Sequence, residues 1–158
     1  MLKPEINNRL IFLLSLFGLI VAGYVLQGYL RQSSVYCPVG GGCDLVRKSP
    51  YAWPFGIPVP AFGFVGYLTI LSLSFFKTAI ADAKKRYDVS LWIAGIATFG
   101  VGFVTWFTLT EAFLIGGFCS WCVVSAIVMY FIFGLVLTDI YQGKKSSSSA
   151  SSRKVLLS

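Results

Sequence analysis

Residues 10–30 read LIFLLSLFGLIVAGYVLQGYL, an uncharged run whose most polar side chain is Gln27. A helix rises about 1.5 Å per residue, so about 20 such residues cross a hydrocarbon core of about 30 Å. Lys3 and Arg9 precede the run, as basic residues precede a secretory signal. It is longer than the apolar region of a signal, however, and no Ala-x-Ala site closes it. It reads as a first transmembrane helix. With that helix retained, the chain has four spans and both termini lie on one side.

Composition points the same way. Of 158 residues, 56% are hydrophobic and 12% charged, with a mean hydropathy of +0.77, whereas soluble domains carry about 25% charged residues. The length suits one domain. The net charge of +7 suggests nucleic acid, but no basic stripe is interleaved with stacking aromatics, so no nucleic-acid partner is expected. The partner surface is membrane lipid.

Beyond the first span, residues 31–57 form the longest connection and hold Cys37 and Cys43 around Gly40-Gly41-Gly42. A phosphate loop needs Gly-Lys-Ser/Thr, and Cys43-Asp44 follows instead, so the glycines supply bend and mobility. Asp44–Lys48 suits one helical turn, with Asp44 as its cap, ended by Ser49-Pro50. Trp53-Pro54-Phe55-Gly56-Ile57-Pro58 is apolar enough to dip into the membrane interface. A second span runs from Val59 to Phe76. A polar turn, Asp82–Asp88, leads to a third span, Val89–Thr110, with Glu111 at its end. Gly116-Gly117 breaks the chain, and Phe118–Thr138 is the fourth span, closed by Asp139. Residues 1–140 thus make a four-helix transmembrane domain, and the serine-rich stretch 141–158 reads as a disordered tail.

Basic residues orient the bundle. Ten of them (Lys3, Arg9, Lys77, Lys84, Lys85, Arg86, Lys144, Lys145, Arg153 and Lys154) fall on the side of the termini. Three (Arg31, Arg47 and Lys48) fall on the other. The positive-inside rule makes both termini cytoplasmic. Cys37, Cys43, Cys119 and Cys122 then share the outer, oxidising face of an inner membrane, where disulfide chemistry is permitted.

Cys119-Ser120-Trp121-Cys122 places two sulfurs on one helical turn. If Cys119 begins the helix, the helix dipole stabilises its thiolate. The four cysteines read as a dithiol relay: Cys37 and Cys43 exchange disulfides with a soluble protein, and Cys119 and Cys122 take up the electrons. No haem, flavin or iron–sulfur motif offers an acceptor; Val123, not His, follows Cys122. A lipid-soluble quinone, ubiquinone or menaquinone, is the natural sink. Trp53, Phe55 and Trp121 are candidate walls for its pocket. Static loop-stapling disulfides in a non-catalytic scaffold are the alternative of another class. A four-cysteine zinc site fits the spacing poorly, so no metal is expected. Glu111 reads as an interface residue in contact with water, with proton relay to reduced quinone as the other reading. Asp139 reads as a solvated helix end. A transporter finds little support, because the spans lack buried charge pairs.

Cys37, Cys43-Asp44, Ser49, Phe55-Gly56-Ile57-Pro58 and Cys119-Ser120-Trp121-Cys122, in that order, resemble the vitamin K epoxide reductase family, especially its bacterial homologues. The likeness runs from about Leu10 to Thr138. It implies an all-α bundle of four transmembrane helices around a quinone, capped by the loop between the first two. It implies that Cys122 reduces quinone, that Cys119 is attacked from the loop by Cys43, and that Cys37 meets the partner. Ser49 would help to hold the loop over the site. Val59 and Ala126 stand where animal members place an Asn and a Tyr associated with the vitamin, so quinone reduction coupled to disulfide formation is expected rather than epoxide reduction. The other bacterial four-helix disulfide generators have the two cysteine pairs in the reverse order. Many bacterial relatives fuse a thioredoxin-like domain after the fourth span; here the tail stands in that place, so a separate thioredoxin-fold partner on the outer side is expected. The resting pattern stays open between Cys37–Cys43 with Cys119–Cys122 and a Cys43–Cys119 bond, as does the oligomeric state.

Overall fold

A computed structural model describes residues 4–33, 36–37 and 42–156, and the side chains among them except those of Pro4 and residues 145–156. Every regular element among these residues is helical. Four helices carry the membrane spans: α1 (Pro4–Leu30), α3 (Val59–Ala79), α4 (Ala83–Thr110) and α5 (Ser120–Leu156). A short α2 (Gly42–Lys48) lies in the loop between α1 and α3. The apolar spans are Glu5–Leu30, Val59–Ala79, Ala83–Ile115 and Ser120–Lys144. The helices keep Phe99, Trp92, Phe131 and Leu13 on their outer faces. That arrangement suits lipid rather than water, and the chain is a multi-pass membrane bundle.

Several boundaries differ from the sequence reading. The expected polar turn at Asp82–Asp88 shrinks to Ile80–Asp82. Asp82 takes the extended conformation of a cap, and its carbonyl accepts the Arg86 N–H at 3.0 Å, so the basic cluster forms the first turns of α4. The stretch expected to be a disordered tail continues α5 to Leu156. Once a helix is nucleated, each further residue adds a hydrogen bond, and no Pro stops this one.

Small residues let the helices meet closely. Tyr67 of α3 lies across Gly18 of α1, and its hydroxyl donates to the Ser125 carbonyl of α5 at 2.7 Å. Around this contact Ile11, Ile70, Ile93, Ala97, Ile132 and Val136 are buried.

The end of the bundle remote from the cysteines is held by polar groups. Lys77 of α3 pairs with Asp139 of α5, both buried, and Ser90 of α4 donates to the same carboxylate at 2.7 Å. Asn7 of α1 donates to the Leu135 carbonyl at 3.0 Å and to Thr138 at 2.8 Å. Asn8 and Ser74 bond each other across α1 and α3 at 3.1 Å. Asp139 is therefore no solvated helix end, and the bundle does contain a buried charge pair. Neither partner was visible as such in sequence, because they lie 62 positions apart at the ends of different spans.

Candidate active site

At the opposite end, α4 does not stop at Thr110 but widens into one π-helical turn, Glu111–Ile115. Gly116 follows at φ 69°, a left-handed conformation that suits glycine. The amides of Gly116 and Gly117 both bond back to the Glu111 carbonyl, at 3.0 and 3.3 Å. The chain thus reverses in a few residues and delivers Cys119 to the start of α5. The Cys119 carbonyl accepts the first helical bond, from Val123 N–H at 3.0 Å. Its Sγ accepts the Cys122 N–H at 3.4 Å. Cys119 is the N-cap of α5, with sulfur in the place of the usual oxygen.

That position sets its acidity. The Cys122 thiol hydrogen-bonds to Cys119 and holds its thiol below the ordinary cysteine value, helped by the backbone N–H groups of Cys122 and Trp121 and opposed by burial and by Glu111. Cys119 is buried and Cys122 half-buried, and both are free thiols. Cys37 and Cys43 form a disulfide.

The two pairs meet. Cys43, Val46, Val59, Phe107 and Cys119 form one buried cluster, with Cys37, Trp121 and Cys122 packed against it. Cys37 Sγ lies 3.9 Å from Ser120 Oγ. Gly42 makes this approach possible: a Cβ there would collide with the Phe118 carbonyl and stand 3.0 Å from the Phe118 nitrogen. The sequence reading gave Gly40–Gly42 a role in mobility. Gly40 and Gly41 lie outside the described residues, whereas Gly42 opens α2 in tight packing. Helix α2 starts earlier than expected and takes Cys43 with it; inside its first turn, Asp44 pairs with Arg47 at 3.3 Å instead of capping.

Two tryptophans strap the loop down. Trp121 Nε1 donates to the Tyr36 carbonyl at 2.8 Å, and Trp53 Nε1 donates to the Arg47 carbonyl at 3.0 Å. Trp53 also packs on Tyr29 of α1, with ring centroids 5.7 Å apart. Ser49 caps the 3₁₀ turn Pro50–Ala52 by accepting the Tyr51 N–H at 3.3 Å.

Beneath Cys122 lies a small apolar cavity of about 60 Å³, bordered by Val25, Val59, Gly63, Phe103, Trp121 and Cys122. A groove of about 460 Å³ between α3 and α4 shares Gly63, Phe103, Val104 and Ser125 with it. Of the residues expected to wall the quinone pocket or to close it from the loop, Trp121 borders the cavity, next to Cys122. Ser49, Trp53 and Phe55 do not. Phe55 is 99% exposed, because its φ of 58° turns the side chain away from the bundle. Trp53 is occupied by Tyr29 and the end of α2.

Glu111 is the residue the sequence reading misplaced. It is fully buried rather than in contact with water. Its Oε2 accepts the Cys119 N–H at 3.3 Å. One carboxylate oxygen and the sulfurs of Cys119 and Cys122 lie within 4.8 Å of one another. Its position eight residues before Cys119 was the available signal, but only the π turn and the Gly116 reversal fold it back.

Comparison with known proteins gives the family. The profile of the vitamin K epoxide reductase family matches residues 9–137. The chain is 31% identical over 117 residues to the thiol-disulfide oxidoreductase LTO1 of Arabidopsis thaliana, a match covering 68% of this chain and 30% of that protein. It therefore spans about a third of the length of the relative it matches. With its four membrane helices and paired cysteines inside the matched region, the chain belongs to the vitamin K epoxide reductase family.

Proposed function

We propose that the chain is a disulfide-generating thiol oxidase that passes electron pairs from a thioredoxin-fold protein to a membrane quinone, ubiquinone or menaquinone. The observation that carries this reading is the burial of the Cys43 disulfide and the Cys119 thiol in one cluster. In the relay, Cys37 meets the reduced partner, and Cys43, once released, attacks the Cys119–Cys122 disulfide at Cys119. The pattern described here, with an oxidised loop pair and two inner thiols, is the one such a relay reaches after that exchange.

The quinone, when bound, supplies a sink for two electrons and two protons. The residues present fit it in part. The lining beneath Cys122 is apolar with Cys122 at its edge, but about 60 Å³ is below the roughly 300 Å³ from which small-molecule sites start. A ring next to Cys122 would also use the neighbouring groove of about 460 Å³, past the Phe103 side chain. Trp121 closes the cavity towards the loop, which keeps water from the sulfurs. The excess of basic residues at the far end supports an orientation with the cysteines outside and both termini in the cytoplasm of a bacterial inner membrane. The thioredoxin-fold partner would meet Cys37 on that face.

The test is single-turnover oxidation of a reduced thioredoxin-fold protein by the purified chain, with quinone absorbance followed in parallel. One quinone reduced per disulfide formed, abolished in Cys122→Ala, is the expected result. Thiols and disulfide inert to the reduced partner, with quinone unchanged, would leave a disulfide-stapled scaffold.

A further inference from the structure

The Glu111 carboxyl is a buried group that the relay above does not use. No cation pairs with it among the described residues. Its Oε1 is buried without a hydrogen-bond partner, as is the hydroxyl of Tyr29. The groups that face it are Cys119 and Cys122 from α5, the Cys122 side chain bonding to the carboxyl, and Tyr29 from α1, which Arg47 of α2 also faces; the cluster that holds Cys119 adds the apolar Val59 and Phe107. An ionisable group at membrane depth with no counter-ion is costly, and such groups mark functional sites.

A thiolate at Cys119 and a carboxylate at Glu111, within 4.8 Å of each other, would be two like charges in an apolar shell. Sites of this kind share one proton. From this geometry we infer that Glu111 holds the proton that Cys119 gives up, and releases it to the acceptor when the pair is oxidised. This rests on the quinone-reducing reading. The reduced site then consists of the Cys119 thiolate, the Cys122 thiol and protonated Glu111. Oxidation forms the Cys119–Cys122 bond and sends two electrons to the quinone. One proton leaves from Cys122 Sγ and one from the Glu111 carboxyl, both to the quinone oxygens. The site carries one negative charge before and after, on sulfur first and on the carboxylate last. Oε2 stays on the Cys119 N–H, and Oε1, the oxygen without a partner, carries the mobile proton.

The inference is tested without quinone by infrared difference spectroscopy of the whole chain, its inner pair oxidised with diamide and its glutamates labelled with carbon-13. The only other glutamate, Glu5, lies exposed near the N-terminus. A protonated-carboxyl band, shifted by the label, should vanish on oxidation and be missing from Glu111→Gln. No such band in the reduced protein, or one unchanged by oxidation, overturns the proposal. In turnover, Glu111→Gln should reduce quinone about 100-fold more slowly, and more slowly still as pH rises, because the second proton must come from water. Glu111→Asp should recover part of the rate. Wild-type rate and pH profile in Glu111→Gln would also overturn it. Should both variants fail to fold, the wild-type infrared band decides alone. A wild-type protein that shows the band and reduces no quinone would remove the proposed function and leave the proton site standing.

Discussion

Cys119 does three things with one residue. Its carbonyl starts α5, its sulfur caps the first turn, and that sulfur faces Cys43. Its lowered pKa comes first from the Cys122 thiol and then from the amides that this cap brings to the sulfur. Alkylation of Cys119 in Cys122→Ser should therefore persist to lower pH than alkylation of the same thiol in the unfolded chain. The shift should be smaller than in the native pair, since the Cys122 thiol is its largest cause. The sign for stability follows. A depressed thiol value stabilises the folded reduced protein above the ordinary thiol pKa, and that contribution is lost as pH falls through the lowered value. Equal alkylation profiles for folded and unfolded chain would contradict the cap. Glu111 shows where sequence stops helping at this scale. A lone carboxylate at the end of a span looks like an interface residue until the π turn folds it against the sulfurs.

The elements were largely legible. Four spans, their order and the break at Gly116-Gly117 follow from hydropathy and from residues that cannot continue a helix. The loop was less so. Trp53 looks like a pocket wall in sequence, whereas its hydrogen bond to the Arg47 carbonyl makes it a strap; Trp121 of α5 is both, bordering the cavity and bonding to the Tyr36 carbonyl, and backbone carbonyls leave no mark on a residue pattern. Gly42 is the clearest case. In a run of three glycines nothing in the residue pattern singles out the one that packs. Gly42→Ala would push α2 off the Phe118 backbone, which cannot give way as a side chain can. We expect electron transfer between the two cysteine pairs to fall at least tenfold, with the thermal stability of the four spans little changed. Wild-type exchange kinetics in that variant would mean that α2 docks without this contact.

At the scale of the molecule the bundle has two unlike ends. One is latched by Lys77, Asp139, Ser90, Asn7 and Asn8, and the other carries a loop held over the Cys119 and Cys122 sulfurs by a glycine contact and two indoles. Removing one member of a buried ion pair costs about 3–5 kcal/mol, because the other is left uncompensated. Asp139→Asn should accordingly lower the unfolding midpoint in detergent markedly. A paired Lys77→Met, Asp139→Leu variant should recover much of it, and quinone reduction at the far end should be retained in whatever fraction folds. An Asp139→Asn protein as stable as the parent would show that the latch bears no load.

The sulfur cap on α5 also ties two quantities that are usually treated apart. Whatever strengthens the first turn of that helix while Cys119 is a thiolate stabilises the reduced pair. A stabilised reduced form is a stronger oxidant, with a higher reduction potential. The pair then draws electrons from the loop more readily and releases them to its acceptor less readily. The helix start is thus a point of balance between the two half-reactions, and a side chain that never touches a sulfur can tilt it by firming or loosening a single turn.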